Sequence, residues 1–434
     1  MEANGKGGGG VSAIQIEARA AQVLRALQGA GYPAYAVGGC VRDSLLGRTP
    51  SDWDVCTGAR PQQVIAVFGD ARCIPTGLRH GTVTVRSGGA LIEVTTFRTE
   101  GAYSDGRHPD RVDFIGDVRG DLARRDFTVN AMAYNDDEGL IDPFGGQEDL
   151  RQGVLRAVGE PGERFDEDAL RILRLFRFGA KLGFALDGST RDAALARCES
   201  LSRVSAERIR DELTKLLCCA GPSAYLPRPL LKVCLPEAAA GGERAFAFRL
   251  RALDATPPEA EVRLAALLGA CDGDETCDAN AAAQTAREAM RRLRFSNAQT
   301  DAVTLLVRER ALTPEGEPRA LRIQARRCLA RMTLTDLMRL KNLRDARLAA
   351  GLPGRELSAL LAQAEELRRG GACCSLAQLA VGGRELAQEL GVRGPQIGKL
   401  LALLLERVIC EQTPNERKAL LREAKAALQE LPKP

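Results

Sequence analysis

The most informative stretch of this 434-residue chain is Val37-Gly-Gly-Cys-Val-Arg-Asp-Ser-Leu-Leu-Gly47, closely followed by Ser51-Asp-Trp-Asp-Val55. Glycines let backbone amides approach a phosphate closely because they have no Cβ. Side chains alternate along a strand, so Asp52 and Asp54 are expected on one face and Trp53 on the other. Two convergent carboxylates suit Mg²⁺, a hard cation that also takes phosphate and water oxygens. The pattern predicts a site that handles a nucleotide and a divalent metal ion.

Four further motifs follow this stretch, up to residue 212. They are Arg124-Arg-Asp-Phe-Thr-Val-Asn-Ala131, Asp142-Pro-Phe-Gly-Gly146, Glu167-Asp-Ala-Leu-Arg171 and, more weakly, Ser205-Ala-Glu-Arg-Ile-Arg-Asp-Glu212. In this order the five motifs resemble the signature of the class II CCA-adding tRNA nucleotidyltransferases and bacterial poly(A) polymerases, within the polymerase-β nucleotidyltransferase superfamily. The resemblance implies an enzyme that adds nucleotides to the 3′ end of an RNA.

The apolar pattern predicts an α+β fold. Short β-rich runs extend from Tyr35 to about Asp142, and beyond about Leu150 the apolar residues recur with helical spacing, as they do in a lead helix over Ile14 to Leu27. With the resemblance, this predicts an N-terminal polymerase-β-like nucleotidyltransferase α/β head followed by an all-helical neck, body and tail. The predicted segments are a flexible start and lead helix (1–30), the catalytic head (31–150), a neck that recognises the base (151–225), a body (226–345) and a tRNA-binding tail (346–434).

The composition narrows the class of protein. No run approaches the roughly 18 uncharged apolar residues of a membrane span, and the polar, glycine-rich start is unlike a signal peptide. Thirteen scattered cysteines without a CxxC spacing, and only two histidines, argue against a zinc site. Reduced cysteines and a cytoplasmic location are expected. Because the net charge is only +4, affinity for RNA has to come from local patches.

Nucleotidyl transfer needs an activated 3′-hydroxyl and neutralisation of the charge on the leaving pyrophosphate. Carboxylates that hold divalent metal ions serve both needs, and the resemblance implies that Asp52 and Asp54 are the catalytic residues that bind Mg²⁺. Glu93, in an alternating strand pattern, is a candidate third carboxylate, although class II enzymes generally rely on the first two. The alternative for the aspartate pair is a turn or a helix cap.

Three residues of the head are predicted to bind the nucleotide. Gly39 offers backbone N–H groups to the triphosphate, and Arg42 offers a guanidinium whose fork matches phosphate oxygens. The alternative for Arg42 is a salt bridge to Asp43 or Asp52. Arg125 belongs to the motif that resembles the ribose-recognition motif of the family, which implies contact with the nucleotide.

The motif that contains Asp168 and Arg171 is predicted to open a helix and to read the base. Residues three apart project from one helical face, and a carboxylate beside a guanidinium complements cytosine and adenine but clashes with guanine and uracil. The pair would therefore accept CTP and ATP. Arg174 and Arg177 continue the basic strip and align with nucleotide-binding positions of the family. The alternatives are a surface salt bridge for Asp168 and Arg171, and an acid-paired or solvated face for Arg174 and Arg177.

The C-terminal segment resembles the tail of CCA-adding enzymes and is predicted to contact tRNA. Lys418, Arg422 and Lys425 are spaced by four and three residues, which places them on one helical face suited to an RNA backbone. A solvated amphipathic helix is the alternative.

Three functions are consistent with these motifs. The first is addition of CCA to the 3′ end of tRNA with CTP and ATP. The second is a poly(A) polymerase or an A-adding enzyme of the same family, which uses ATP alone. The third is a non-catalytic RNA-binding protein with this fold. The C-terminal resemblance and the absence of a strongly basic extension favour the first function, and the oligomeric state is not predicted.

Overall fold

A seven-stranded mixed sheet dominates the N-terminal part of the computed structural model, which describes residues 14–100, 112–269 and 278–430. The strands in chain order are β1 (Ala34–Val37), β2 (Asp54–Thr57), β3 (Cys73–Gly77), β4 (Thr82–Ser87), β5 (Ala90–Thr96), β6 (Arg98–Glu100), β7 (Val112–Phe114), β8 (Ala133–Asn135), β9 (Gly139–Ile141), β10 (Val154–Leu155) and β11 (Ala185–Leu186). The sheet order is β3-β4-β5-β2-β1-β8-β9, while β6 pairs with β7 and β10 with β11. The central strand β2 is antiparallel to β1 and parallel to β5.

By their contacts, the residues form two compact units, 1–236 and 237–434. The helices of the first unit are α1 (Ala18–Gly29), α2 (Gly39–Leu45), α3 (Pro61–Phe68), α4 (Val118–Ala123), α5 (Gly146–Gln152), α6 (Pro161–Glu167), α7 (Leu170–Leu182), α8 (Gly188–Ala196), α9 (Ala206–Leu217) and α10 (Arg228–Cys234). Helices α1 and α3 pack on one face of the sheet. On the opposite face, Tyr35, Val37 and Cys56 form a core with Leu122 of α4 and with Phe97. The sheet is thus held rigidly from both sides, which fixes the ends of β1 and β2.

The second unit is helical throughout its described part. Its helices are α11 (Pro236–Ala239, beginning at the boundary), α12 (Glu243–Ala255), α13 (Ala260–Leu268), α14 (Ala279–Arg292), α15 (Asn297–Arg308), α16 (Pro318–Arg331), α17 (Leu334–Ala349), α18 (Ser358–Arg369), α19 (Gly383–Leu390), α20 (Pro395–Ile409) and α21 (Arg417–Glu430). Near the C-terminus, α19, α20 and α21 enclose a core around Leu386, Leu404 and Leu420.

The fold class predicted from the sequence is confirmed: a mixed sheet near the N-terminus precedes a mostly helical remainder. The lead helix predicted over Ile14 to Leu27 is α1, and the first thirteen residues of the predicted flexible start lie outside the described residues. The division into head, neck, body and tail at the predicted boundaries stays a prediction. None of the described helices has the length and apolar character needed to span a membrane.

Candidate active site

The two predicted metal ligands lie at the start of the central strand β2. Asp52 and Asp54 are exposed, whereas Trp53 between them is only 8% exposed. The alternation expected of a strand therefore holds here, and both carboxylates lie on the outward face. Because β2 and β5 are parallel with Asp54 paired to Glu93, the exposed Glu93 side chain lies on the same face, beside Asp54.

This cluster carries an excess of negative charge. Partial desolvation, together with the negative charges of Asp52 and Glu93, raises the pKa of Asp54 to about 6, although Arg125 opposes the shift. A bound divalent cation would reverse this effect, since it favours the ionised carboxylate. Oxygen ligands and unrelieved negative charge are the donor set that Mg²⁺ or a similar hard cation prefers, so the residues fit such an ion.

Within the described residues, no three His, Cys, Asp or Glu side chains are grouped so as to hold a metal ion by themselves. Asp52 and Asp54 supply two ligands, and Mg²⁺ bound with a nucleotide ordinarily takes the others from phosphate and water. A role for Glu93 as a third ligand stays a prediction, supported by its place beside Asp54.

A tight turn between β1 and α2 lies next to these carboxylates, because Val37 ends β1 and Ala36 pairs with Val55 of β2. Gly38 adopts φ 79° and ψ −123°, a conformation that L side chains rarely adopt. A Cβ there would also lie 2.9 Å from Nη1 of Arg125. The backbone conformation is therefore the reason for glycine at position 38, and the guanidinium of Arg125 lies over the turn. Gly39, the predicted phosphate-binding residue, opens α2, where backbone N–H groups have no partner within the helix.

Arg42 turns inward in this structure. Its side chain is nearly completely buried and donates to Asp43 at 2.8 Å and to Oδ1 of Asn130 at 2.6 Å. Its guanidinium carbon is 5.4 Å from the ring centre of Phe178. The salt bridge to Asp43 is the alternative that the sequence left open, and the structure forms it. Contact between Arg42 and a phosphate stays a prediction.

The buried Asp126 and the partly exposed Arg174 form a second ion pair. Asp126 accepts from Nε of Arg174 at 2.8 Å, from Nη2 at 2.5 Å and from Nδ2 of Asn130 at 3.1 Å. Burial acts to raise the pKa of Asp126, but the charge and hydrogen bonds of Arg174 outweigh it and lower the pKa to about 2. Asn130 thus joins the Asp126 pair to the Arg42 pair. Sequence reasoning did not include Asp126 or Asn130 among the site residues.

The prediction that Asp168 and Arg171 project from one face of a helix is wrong. Asp168 is extended (φ −140°, ψ 103°), and α7 begins only at Leu170. Its carboxylate accepts from Nη2 of Arg208 at 2.8 Å. The surface salt bridge to Arg171 that was the alternative is not among the ion pairs of the described residues. The carboxylate is therefore positioned by α9.

Arg171 has its own set of partners. It is 8% exposed and forms an ion pair with Glu167. Its Nη2 donates to the carbonyl oxygen of Arg124 at 2.9 Å and its Nη1 to that of Arg164 at 3.2 Å. The guanidinium is thus locked between α6 and the end of α4, in one orientation.

Arg177 forms, together with Arg171 and Arg174, the arginine-rich face of α7. It is 8% exposed, forms an ion pair with Glu212 and lies 3.9 Å from the ring centre of Phe178. The acid-paired face that the sequence left open as an alternative is therefore present. Arg208 and Glu212, four residues apart on α9, support Asp168 and Arg177 respectively, and the weak fifth motif was the only sign of them in the sequence.

Lys418, Arg422 and Lys425 are all exposed on α21, opposite the buried Leu420 and Ala424. The three basic side chains therefore share an exposed face of α21, as predicted, and contact between this face and tRNA stays a prediction.

Known proteins resemble nearly the whole chain. Residues 34–156 match the poly(A) polymerase head domain, residues 183–240 the probable RNA- and SrmB-binding site of polymerase A, and residues 276–424 the second domain of tRNA nucleotidyltransferases. A CCA-adding enzyme of Lactobacillus delbrueckii subsp. bulgaricus is 37% identical over 414 residues, which cover 94% of this chain and 97% of that enzyme.

Solved structures of CCA-adding enzymes also resemble this chain. The Bacillus stearothermophilus CCA-adding enzyme, solved in complex with CTP, is 30% identical with a TM-score of 0.75, over 95% of this chain and 97% of that chain. The Thermotoga maritima CCA-adding enzyme, complexed with tRNA, is 21% identical with a TM-score of 0.61 over 95% and 96%, and so shares the fold. With a full-length relative above one-third identity and the carboxylate pair in place, this chain belongs to the CCA-adding enzymes, a family of nucleotidyltransferases.

Proposed function

We propose that this protein completes the 3′ end of tRNA by adding C, C and A from CTP and ATP with release of pyrophosphate. The observation that carries the proposal is the exposed Asp52 and Asp54 pair beside the Gly38 turn, in a chain that matches a CCA-adding enzyme over 94% of its length. No disulfide joins the described cysteines, which suits a reducing compartment, so we place the reaction in the cytoplasm.

We assign Asp52 and Asp54 as the ligands of Mg²⁺. A divalent ion bound there would acidify the attacking 3′-hydroxyl and neutralise charge on the triphosphate. The other residues of the site position the substrates. The first turn of α2 presents backbone N–H groups to the phosphates, and Arg125, held over Gly38, adds positive charge beside them.

Asp168 and Arg171 are the residues to which we assign base selection. A carboxylate has about four lone-pair sites and a guanidinium has five N–H donors, so both retain hydrogen-bonding capacity after pairing with Arg208 and Glu167. Because their partners hold them still, they can select a base by geometry without an RNA template. The two side chains need not share a helical face for this role; they need fixed positions in one cavity.

The test is incorporation into three tRNAs: one lacking the whole CCA end, one lacking the last A and one complete, each with every NTP separately and Mg²⁺. Addition of C, C and A followed by a stop is the expected result. An unlimited A tail made from ATP alone would indicate a poly(A) polymerase instead. If RNA binds but nothing is incorporated, the protein is a non-catalytic RNA-binding member of the fold. Asp52→Ala is the inactive control.

A further inference from the structure

A carboxylate of α4 is completely buried beside the sheet that carries the proposed metal ligands. Asp121 has no exposed surface and lies next to Leu122, which packs in the core with Cys56 of β2. It belongs to none of the five motifs of the sequence. Aspartate is almost never completely buried unless it is paired, because a charged group loses its hydration there. The position of Asp121 therefore requires a reason.

Asp121 accepts hydrogen bonds from both arginines that follow α4. Its Oδ1 accepts from Nε of Arg124 at 3.0 Å and from Nη2 at 2.8 Å, and its Oδ2 accepts from Nη2 of Arg125 at 3.3 Å. The backbone N–H of Arg98, at the start of β6, donates to Oδ1 at 3.3 Å. One negative charge thus meets two positive charges, so the cluster keeps a net positive charge that an anion can use.

The guanidinium of Arg125 retains donors for a ligand. Its Nη1 lies over the turn between β1 and α2, 2.9 Å from the place that a Cβ of residue 38 would occupy. Its Nε is buried and makes no hydrogen bond within the described residues. Buried N–H groups are normally paired, so this one indicates an acceptor that a ligand supplies. Phosphate oxygens are acceptors that match a guanidinium.

Asp54 is the competing partner for Arg125. The two residues are close enough for the positive charge of Arg125 to oppose the rise that burial causes in the pKa of Asp54. No ion pair joins them within the described residues, because Arg125 is paired with Asp121. An arginine drawn onto Asp54 would leave the turn and would occupy carboxylate oxygens that are assigned to the metal ion.

The backbone at the end of α4 is held by other residues. The carbonyl oxygen of Ala123 accepts from Nη1 of Arg164 at 3.1 Å, and that of Arg124 accepts from Nη2 of Arg171 at 2.9 Å. These bonds do not involve the carboxylate of Asp121. Its loss should therefore release the side chains that it holds while leaving the path of the chain in place.

We infer that Asp121 is a positioning residue for nucleotide binding, which holds the guanidinium of Arg125 over the Gly38 turn and away from Asp54. The donors of Arg125 that Asp121 does not use then face the triphosphate, and the oxygens of Asp54 stay open to a metal ion. Asp121 itself does not touch the nucleotide, since it is completely buried. The inference rests on the proposed function.

The test is a double-mutant cycle on the full-length protein with Asp121→Asn, Arg125→Ala and the double variant. In Asp121→Asn the Kd for ATP, measured by calorimetry with Mg²⁺ and without tRNA, should rise about tenfold, the scale of one hydrogen bond to a charged group. Arg125→Ala should raise it at least as much. The double variant should match Arg125→Ala within about twofold, because Asp121 acts through Arg125. Effects that multiply in the double variant would overturn the inference.

Binding of Mg²⁺ without nucleotide, followed by the fluorescence of Trp53, tests the competition for Asp54. Asp121→Asn should bind Mg²⁺ about threefold more weakly, because the released Arg125 pairs with Asp54. Adding Arg125→Ala should restore the affinity of the wild-type protein. A purely structural role would not be reversed by removing a second side chain. An unchanged affinity for Mg²⁺ in Asp121→Asn would overturn the claim that Asp121 keeps Arg125 away from Asp54.

Asp117→Ala is the matched control. Asp117 is exposed and caps α4 by accepting from the backbone N–H of Arg119 at 3.1 Å, so this variant weakens the same helix and leaves Asp121 in place. Its Kd for ATP should stay within about twofold. If thermal melting shows that Asp121→Asn does not fold, Asp121→Glu, which keeps the charge on a longer side chain, replaces it in the cycle with the same expectation. If the wild-type protein binds ATP but incorporates no nucleotide into tRNA, it is the proposed function that fails.

Discussion

The carboxylate pair at the start of β2 and the arginine-rich face of α7 differ in how exposed their charged groups are and in whether those groups form ion pairs. Asp52 and Asp54 are exposed, and neither forms an ion pair within the described residues. Arg171 and Arg177 are each 8% exposed and paired with a glutamate. Among the described residues the carboxylates at the start of β2 therefore have no ion-pair partner, whereas these arginines of α7 are paired within the fold.

Under the proposed function, this difference separates the site of the chemical step from the site of base selection. A metal site must be open so that ions, phosphates and water can exchange, and its charge is destabilising until they bind. A site that selects bases without a template must be rigid, because a mobile guanidinium would adapt to the wrong base. Ion-pair partners within the fold supply that rigidity, and breaking the buried Arg177–Glu212 pair leaves an unpaired charge inside the protein at a high cost.

Removing either of the proposed metal ligands, Asp52 or Asp54, should have the largest effect on activity. Asp52→Ala or Asp54→Asn is expected to lower the rate of nucleotide addition by at least about a thousandfold, since several kcal/mol of transition-state stabilisation depend on the bound metal. The free energy of unfolding should change by less than about 0.5 kcal/mol for the exposed Asp52. Single-turnover incorporation and thermal melting measure the two effects. A variant that keeps more than a tenth of the activity would remove Asp52 from the catalytic site.

Substitutions in the arginine-rich face of α7 should change the free energy of unfolding. Glu212→Gln leaves Arg177 buried without a charged partner and is expected to reduce the free energy of unfolding by about 3–5 kcal/mol. Urea unfolding followed through Trp53 reports on the first unit, in which both residues lie. Arg177→Met with Glu212→Leu should recover most of the loss.

Lys215 provides the matched control for that pair. It lies 3.8 Å from Glu212 with a side chain 63% exposed, so Lys215→Ala should change the free energy of unfolding by less than about 0.5 kcal/mol. Equal effects of Glu212→Gln and Lys215→Ala would contradict the distinction between buried and exposed pairing.

Base selection should depend on the residue that holds Asp168. Arg208→Ala is expected to raise the KM for ATP and CTP about tenfold and to reduce discrimination against GTP and UTP by a similar factor, because hydrogen bonds to charged groups contribute about 1.5–3 kcal/mol. Arg208→Lys should restore part of the selectivity. Arg210→Ala, two residues away and on a different side of α9, is the control. Selectivity that survives Arg208→Ala would mean that Asp168 does not need α9 to position it.

The carboxylate pair should also show a pH dependence. The pKa of Asp54 is raised to about 6, so the folded, metal-free protein holds this proton more tightly than the unfolded chain. Stability from this group is present below about pH 4 and is lost as pH rises through about 6. Since Mg²⁺ binds the ionised carboxylate, its affinity should fall about tenfold per pH unit below 6. Titration of Mg²⁺ at pH values from 5 to 7.5, followed by the fluorescence of Trp53, measures this change in affinity. The Asp54→Asn variant should bind Mg²⁺ weakly, and its affinity should not depend on pH in this range.

Local rules were sufficient for part of this site. The alternation of Asp52, Trp53 and Asp54 follows from the two-residue period of a strand, and the glycine at position 38 follows from the backbone conformation of the turn. The helical spacing beyond residue 150 and the basic face of α21 likewise come from backbone geometry that each segment carries. These features were predicted correctly because they depend on neighbours along the chain.

The other features of the site depend on contacts between residues that are far apart in the sequence. Asp168 is paired with Arg208, forty residues later, rather than with Arg171, and Arg42 meets Asn130 eighty-eight residues away. The parallel register of β2 and β5 brings Glu93 beside Asp54, one of the proposed metal ligands. Which charges meet depends on how separate elements are brought together, and burial makes those pairings strong because water no longer competes for them. The sequence by itself determined the fold class and predicts which side chains bind metal and nucleotide; the packing of α7 and α9 and the order of the strands selected the partners of those side chains.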